Sequence, residues 1–383
     1  MNKHDGITLA LSCLFGLSIG AGISIAVMYF FSDRTIKWNG GKYTGETKDG
    51  IPDGEGIFER DGMTYSGIWA EGDLCEGKIK SSRYVYDGEI ENLKLHGYGT
   101  CHYNDGNIYR GYWKNDMKDG LGRMERNGKI SCSIYKDGIA VVPQGQDFEF
   151  GERVYGIDVS IHQSTIDWQD VFLSCNKYGG VDGKAPADRP YMQPVLFAIA
   201  KSTQGNKKKD PTFDTNMEAI RRCGIILGAF HFLTLNVSGK SQAEFFIRNT
   251  PLINGDLPPI LDIEKNTYDK PLPTDEEFKN IIPIAKEWIA DVEQYYGVKP
   301  IIYTNLDIYK KFISNDEMLK KLPLWLANPG TKRPDIENCI LWQFTHNGKV
   351  NGIAENIVDI NMFYGNMKEF RNFIRKNEIK SGM

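Results

Sequence analysis

The sequence predicts an α/β protein in three parts: a single transmembrane helix, an all-β sheet of stacked hairpins, and an irregular (β/α) barrel at the C-terminus. Three observations predict it. Residues 7–31 carry no charge, a Tyr-x-Gly pattern recurs at near-constant spacing from Gly41 to about Gly138, and beyond Val154 short apolar runs alternate with amphipathic stretches. The expected boundaries are a short stub and transmembrane signal anchor over 1–34, repeats over 41–138, a linker over 139–152 and the barrel over 153–372.

At 383 residues the chain can hold two or more domains, each with its own core. Its 41% apolar and 25% charged content is that of an ordinary folded protein. A net charge of −4 gives no reason to expect a nucleic-acid partner. The cysteines (Cys13, Cys75, Cys101, Cys132, Cys175, Cys223 and Cys339) are scattered, with no C-x-x-C and no histidine cluster beside them. That argues against a structural zinc site and against a disulfide scaffold.

Ile7 to Phe31 is long enough to cross a bilayer as a helix. No clear A-x-A-like cleavage site follows it, so the expectation is an uncleaved signal anchor. Lys3 and Asp5 precede the segment and Asp33, Arg34 and Lys37 follow it, so flanking charge leaves its orientation open.

The repeats begin at Tyr43-Thr44-Gly45 and return at Tyr65-Ser66-Gly67, Tyr86-Asp87-Gly88 and Tyr109-Arg110-Gly111. The tyrosines lie 22, 21 and 23 residues apart (65−43, 86−65, 109−86). Most copies continue to a Gly-x-Gly, at Gly54-Glu55-Gly56, Gly97-Tyr98-Gly99 and Gly120-Leu121-Gly122, whereas the copy at Tyr65 offers only Gly77. Each unit reads as a β-hairpin, and one hairpin cannot bury a face alone, so the copies must stack side by side. The pattern resembles the MORN repeat, with Tyr109 through Gly122 fitting it best. Such a sheet is expected to be chiefly a spacer and scaffold; the sharper alternative is a surface for lipid, glycan or a protein partner, built on exposed tyrosines.

Beyond the linker, eight apolar runs read as strands: Val154–Val159, Val195–Ala200, Ile225–Phe232, Ile260–Ile263, Pro300–Tyr303, Leu324–Ala327, Ile340–Phe344 and Ile357–Ile360. Helix-like segments occupy Asp167–Lys177, Phe213–Cys223, Ser241–Thr250 and Glu276–Tyr296. Strands alternating with helices argue for a (β/α) barrel. The later connections, around 328–340 and 346–356, are short and rich in Gly and Pro, so full helices are not expected there. The long connection 176–193 should lie at the end of the barrel opposite the site, structural or partner-facing.

In such a barrel the active site forms where strands end. The residues there are Asp158, Lys201, His231, Asp262 with Glu264, Tyr303, Asn328, Gln343 and Asp359. The stretch Leu257 to Glu264 stands out. Asp262 and Glu264 are two apart in a strand and so share a face. Mutual repulsion and apolar neighbours disfavour charging both, so one should hold a proton at neutral pH, as a general acid requires. Four acids converging with aromatics and amides is the composition of a sugar-cleaving site.

The domain resembles the glycoside hydrolase family 25 lysozymes, which are N-acetylmuramidases with an irregular (β/α) barrel. The resemblance is carried by Gly156-Ile157-Asp158-Val159-Ser160 with Ile166-Asp167-Trp168, by Ala200-Lys201-Ser202-Thr203-Gln204-Gly205, and by Gly228-Ala229-Phe230-His231-Phe232. It continues through Leu261-Asp262-Ile263-Glu264, Ile302-Tyr303-Thr304, Leu324 to Asn328, Leu341-Trp342-Gln343-Phe344 and Val358-Asp359-Ile360-Asn361. By resemblance Glu264 is the acid/base, Asp262 assists the developing charge or orients the N-acetyl group, and Asp158 and Asp359 complete the catalytic set. Tyr303, Trp325, Gln343, His231 and Asn328 are implied as substrate-binding residues. Two acids on one strand fit covalent, inverting and acetamido-assisted routes alike. The family implies no metal and no cofactor.

These expectations describe a membrane-anchored enzyme with its C-terminal domains on the extracytoplasmic side, cutting the β-1,4 bond between N-acetylmuramic acid and N-acetylglucosamine in peptidoglycan. The alternative is a non-catalytic glycan-binding or envelope scaffolding protein, against which the four intact acids count.

Overall fold

The computed structural model describes residues 34–141, 152–181, 191–265, 271–330, 332–353 and 357–380. The apolar segment 7–31 lies outside the described residues, as do residues 142–151 of the expected linker. No helix among the described residues is long and apolar enough to cross a membrane.

The repeats form one antiparallel meander of eleven strands in sequence order. These are β1 (Arg34–Trp38), β2 (Gly41–Lys48), β3 (Ile51–Arg60), β4 (Met63–Ala70), β5 (Asp73–Lys80), β6 (Tyr84–Glu91), β7 (Lys94–Tyr103), β8 (Ile108–Lys114), β9 (Met117–Arg126), β10 (Lys129–Lys136) and β11 (Ile139–Val141). The tight turns Asn39-Gly40, Asp61-Gly62 and Asn127-Gly128 place both residues at positive φ, the turn whose twist suits a hairpin.

The glycines explain the motif. Gly45 faces Gly56, Gly88 faces Gly99 and Gly111 faces Gly122 across neighbouring strands. Each bare pair makes room for the tyrosine ring of its own copy: a Cβ on Gly56, Gly99 or Gly122 would lie 2.1–2.3 Å from the Tyr43, Tyr86 or Tyr109 side chain. Each phenol then donates to the carbonyl three residues on, Tyr43 to Glu46 at 2.8 Å, Tyr86 to Glu89 at 2.7 Å and Tyr109 to Tyr112 at 3.1 Å. Edge-on ring contacts, Tyr43 on Trp69 and Tyr86 on Trp113, stitch one copy to another. The divergent copy keeps the Gly67–Gly77 pairing, but there the side chain nearest Gly67 is Leu74, not Tyr65. All four repeat tyrosines are buried, which corrects the expectation of exposed tyrosines offering a binding surface.

The C-terminal part is a closed eight-stranded barrel. Its elements, with the hairpin beside it, are β12 (Val154–Val159), β13 (Phe172–Cys175), β14 (Tyr191–Pro194), β15 (Phe197–Gln204), β16 (Lys208–Lys209), β17 (Ile226–Phe232), β18 (Ile260–Asp262), β19 (Ile301–Asn305), β20 (Leu324–Ala327), β21 (Cys339–Gly348) and β22 (Val358–Phe363). The barrel order is β12-β22-β21-β20-β19-β18-β17-β15, closed by β12 pairing with β15, and β16 extends the sheet beside β15. Its irregularity is β22, which runs antiparallel to both neighbours. Asp359 is therefore near the start of its strand, yet at the same end of the barrel as the others.

The helices are α1 (Phe213–Arg222), α2 (Gly239–Asn249), α3 (Asp275–Phe278), α4 (Ile281–Tyr296), α5 (Leu306–Ile308) and α6 (Met367–Lys376). As expected, no helix joins β20 to β21 or β21 to β22 among the described residues. The expected helix over 167–177 is not there. Trp168–Asp170 makes one 3-10 turn, and Phe172–Cys175 becomes β13, paired with β14. Pairing with 191–194 outweighs a weak helical pattern, because it satisfies the backbone of a segment that buries Leu173, Ser174 and Cys175. Residues 182–190 of the long connection lie outside the described residues.

Side-chain alternation fills the barrel in layers. Val154, Phe197, Ile199, Ile260, Ile301, Trp325, Leu341 and Phe363 form the lower interior, and α6 closes it from below with Met367, Phe370 and Ile374. Phe370 packs on Phe197 and Phe363 at ring distances of 5.4 and 5.0 Å.

The repeat sheet is docked on the barrel, not held away from it. The outward-facing residues of its later strands meet the closed end and adjoining flank. Tyr98 is buried within the barrel's own apolar cluster, which includes Cys223. Tyr112 donates to Gln169 at 3.0 Å, Arg123 to the Val171 carbonyl at 3.0 Å, and Arg371 of α6 pairs with Glu125 at 2.7 Å. Arg222, at the end of α1, reaches Glu76 at 3.2 Å.

The Gly-Gly requirement is testable. Gly99→Ala drives a methyl into the Tyr86 ring and should destabilise the sheet by about 3 kcal/mol, read as a lower denaturant midpoint. Wild-type stability in that variant would contradict the packing account.

Candidate active site

Layering places the acids above an apolar floor. On β12, Val154, Gly156 and Asp158 point inward while Ile157 and Val159 face the helices. Asp158 stands opposite Asp359 of β22. On β18, Ile260 lies in the floor and Asp262 above it. The strand ends at Asp262, yet its extension stays tied to β19, since Ile263 donates to the Tyr303 carbonyl at 2.9 Å and Thr304 to the Ile263 carbonyl at 2.8 Å. Glu264 thus follows Asp262 onto the same inner side, at the mouth.

Amides hold the acids together. The Gln343 side chain donates to Asp158 Oδ2 at 2.9 Å and to Asp359 Oδ2 at 3.1 Å, while its carbonyl accepts from Tyr303 at 2.9 Å. Asn361 donates to Asp158 Oδ2 at 2.7 Å and accepts from Trp325 Nε1 at 2.8 Å. The Tyr303 ring lies on Trp325 at 4.3 Å. Trp325 is therefore the floor beneath the acids, and Tyr303 and Gln343 are part of the constellation.

The electrostatics are those of crowded, desolvated carboxyls. Burial, then the Asp359 charge, pushes Asp158 well above the carboxylate range. Burial, then the Glu264 charge, does the same to Asp262. Asp262 is 3% exposed and its Oδ1 has no hydrogen-bond partner in the structure. Glu264 is raised to about 7, chiefly by burial, against the opposing charge of Lys201. Burial and the surrounding acids, Glu264 and Asp262 first, keep Tyr303 a neutral phenol. A carboxyl that retains its proton near neutrality beside groups able to carry charge is equipped for general acid catalysis.

One expected substrate contact falls elsewhere. His231 faces outward from β17, fully buried in the helix layer. Its Nδ1 lies 2.7 Å from Thr203 Oγ1, its Nε2 lies 3.2 Å from Gln242 Oε1, and its ring stacks on Trp288 at 5.6 Å. Burial holds it neutral, with a pKa of about 3. The reason is alternation: Phe230 and Phe232 take the inner positions of β17, leaving His231 the outer one. Asn328 enters through its backbone, donating to the Gln343 carbonyl at 3.1 Å and accepting from Trp342 Nε1 at 2.8 Å.

Three further residues join the site. Asn361 was legible, being two residues beyond Asp359 on one strand face. Lys201 stood among the strand-end residues without a role; its ammonium lies over the Phe232 ring at 5.0 Å and donates to Gln204 at 3.0 Å. His346, 3.3 Å from Asp359 Oδ1, had no sequence signal, because bulges after Gln343 break the alternation of β21. A cleft of about 770 Å³ opens from Glu264, walled by residues including Gln204, Phe232, Asn236 and Phe278.

The profile of the glycosyl hydrolases family 25 matches residues 157–353, and MORN repeat profiles match 43–63, 86–108 and 109–128. The family match spans 197 residues (353−157+1), just over half of 383. An uncharacterized Escherichia coli protein, YegX (strain CFT073), is 32% identical over 223 residues, covering 58% of this chain and 73% of that one. Lysozyme M1 of Streptomyces globisporus is 30% identical over 226 residues, covering 55% and 68%. A solved family 25 glycosyl hydrolase of Bacillus anthracis is 28% identical with a TM-score of 0.46, covering 57% of this chain and 93% of that one. The chain belongs to glycosyl hydrolases family 25, joined to N-terminal MORN repeats, and is a glycoside hydrolase.

The raised Glu264 has a stability consequence. The folded state keeps this proton to about pH 7, whereas an unperturbed glutamic acid releases it near 4.5. The contribution is intact below about 4.5 and is lost as pH rises through 7. Glu264→Gln should therefore leave the melting temperature unchanged at pH 4 and raise it by several degrees at pH 8, reflecting up to about 3 kcal/mol. An unchanged melting temperature at pH 8 would contradict a strained carboxyl.

Proposed function

We propose that this chain is a lysozyme that hydrolyses the β-1,4 bond between N-acetylmuramic acid and N-acetylglucosamine in peptidoglycan. The observation that carries the reading is Glu264, held near a pKa of about 7 at the cleft mouth beside buried Asp262. The lysozyme relative supports the substrate class.

In this reading protonated Glu264 gives its proton to the glycosidic oxygen as the bond to the anomeric carbon breaks. Water adds to that carbon, and its proton passes to a carboxylate. Asp262, with one oxygen unpartnered, receives the N–H of the 2-acetamido group or supports the oxocarbenium charge. Asp158 and Asp359, bridged by Gln343, form the acidic layer above the apolar floor, and Tyr303 contacts the cleaved sugar. The segment 7–31 anchors the chain in the membrane, with the barrel outside the cytoplasm, where peptidoglycan lies.

The test is digestion of purified peptidoglycan by the full chain and by Glu264→Gln, with the reducing ends of the products identified. The expected result is fragments ending in reducing N-acetylmuramic acid, and a loss of roughly a hundredfold or more in the variant. Reducing N-acetylglucosamine ends would move the cut to the other bond. Glycan binding without release by folded wild-type protein would make the chain a binding scaffold.

A further inference from the structure

The Asp359 carboxylate is gripped from two sides. Inside the barrel, Gln343 donates to Oδ2 at 3.1 Å. At the rim, the His346 Nδ1 lies 3.3 Å from Oδ1. Across the β12–β22 pairing stands Asp158, a second acid, so the Asp359 carboxylate faces a like group on one flank and an imidazole on the other. The His346 side chain is 45% exposed and can exchange protons freely with solvent. No local pattern in the chain marks it, and proton transfer from Glu264 does not use it.

We infer that His346 is a positioning residue for this hydrolase: it fixes the Asp359 carboxylate from the solvent side and places a titratable cation at the rim beside Glu264. The inference rests on Glu264 being the acid.

The groups that face His346 are Asp359 from β22 and, further off, Glu264 beyond β18. Those facing Glu264 are Lys201 from β15, Asp359 and Asp262. On the other flank of β21, β20 runs Leu324 to Ala327 and carries no charge. Among the described residues, the cations whose charge acts on Glu264 are Lys201 and the protonated His346. Contact with Asp359 raises the His346 pKa above its ordinary value, so the imidazolium persists toward neutrality, and its charge opposes the rise in Glu264. Lys201 supplies the other positive charge, with burial drawing its pKa below the ordinary lysine value. His346 supplies one that fades as pH climbs, so below its pKa it stabilises ionised Glu264 and above it that help is withdrawn.

The working pH range of the acid is thus set partly from the rim. An acid whose pKa is lowered surrenders its proton more readily, and one whose pKa is raised keeps it to higher pH. His346 balances the two, and its hydrogen bond keeps Asp359 from turning away from Asp158.

Three variants of the full chain separate charge from contact, assayed as kcat and KM on peptidoglycan across pH 4 to 9. His346→Gln keeps a side-chain donor toward Asp359 but never a charge. Its basic limb should move to higher pH by about half a unit, because ionised Glu264 loses a nearby cation. His346→Lys restores a permanent charge and should bring the limb back to the wild-type position or below. His346→Ala loses both functions and should combine the shifted limb with a drop in kcat of about tenfold at similar KM.

Limbs that superimpose for wild type and all three variants overturn the inference, as does an effect confined to KM. Glu264→Gln is run alongside. If it is inactive while the His346 variants match wild type, this inference falls alone. If it stays fully active while His346→Gln still shifts the limb, the acid assignment falls and the inference as stated falls with it.

Discussion

Closure of the barrel through β12 is the constraint from which the site follows. Because β12 pairs with β22 on one side and β15 on the other, Asp158 is set directly opposite Asp359, with Lys201 rising from the adjoining strand. Like charges so placed repel, and burial makes the repulsion worse. The protein answers with amides. Gln343 and Asn361 supply neutral donors to the carboxyl oxygens, and these are in turn fixed by Tyr303 and Trp325. Had cations filled those positions, the acids would be driven into full ionisation. Neutral donors steady their geometry while burial still leaves Asp158 well above the carboxylate range.

The lower half of the barrel makes this possible. Aromatic and branched aliphatic side chains pack the interior, and α6 closes it, so water does not reach the acids from below. The repeat sheet lies against that same closed end through Arg371, Arg222 and Tyr98. Tyr43, Tyr86 and Tyr109 join one hairpin to the next with Trp69 and Trp113, whereas Tyr98 and Tyr112 meet the barrel. The mouth at Glu264 is left on the far side, clear of the sheet.

The repeat architecture was nearly all legible in the chain, because Tyr-x-Gly and Gly-x-Gly encode a local fit of ring over bare backbone. The eight barrel strands were legible for a similar reason: short apolar runs bounded by turn residues have few other uses. The stretch 167–177 misled, since its helical pattern was weaker than the pairing it gained with residues 191–194, which no local reading of 167–177 reveals. His231 misled in another way. It ends a strand at the catalytic end, but alternation turns it outward into a stack with Trp288, and only the phase of β17, fixed by its neighbours, decides that.

By itself the sequence determined the class of enzyme and the order of repeats and barrel, and it singled out the four acids that the barrel brings together, since each rests on motifs whose meaning is local or is carried by family resemblance. Tertiary structure decided what those acids experience. The antiparallel course of β22, the amide bridge of Gln343 and the arrival of His346 past a bulge all join residues far apart in the chain. The pKa of a buried carboxyl is set by such neighbours and by the loss of water, neither of which a linear string contains.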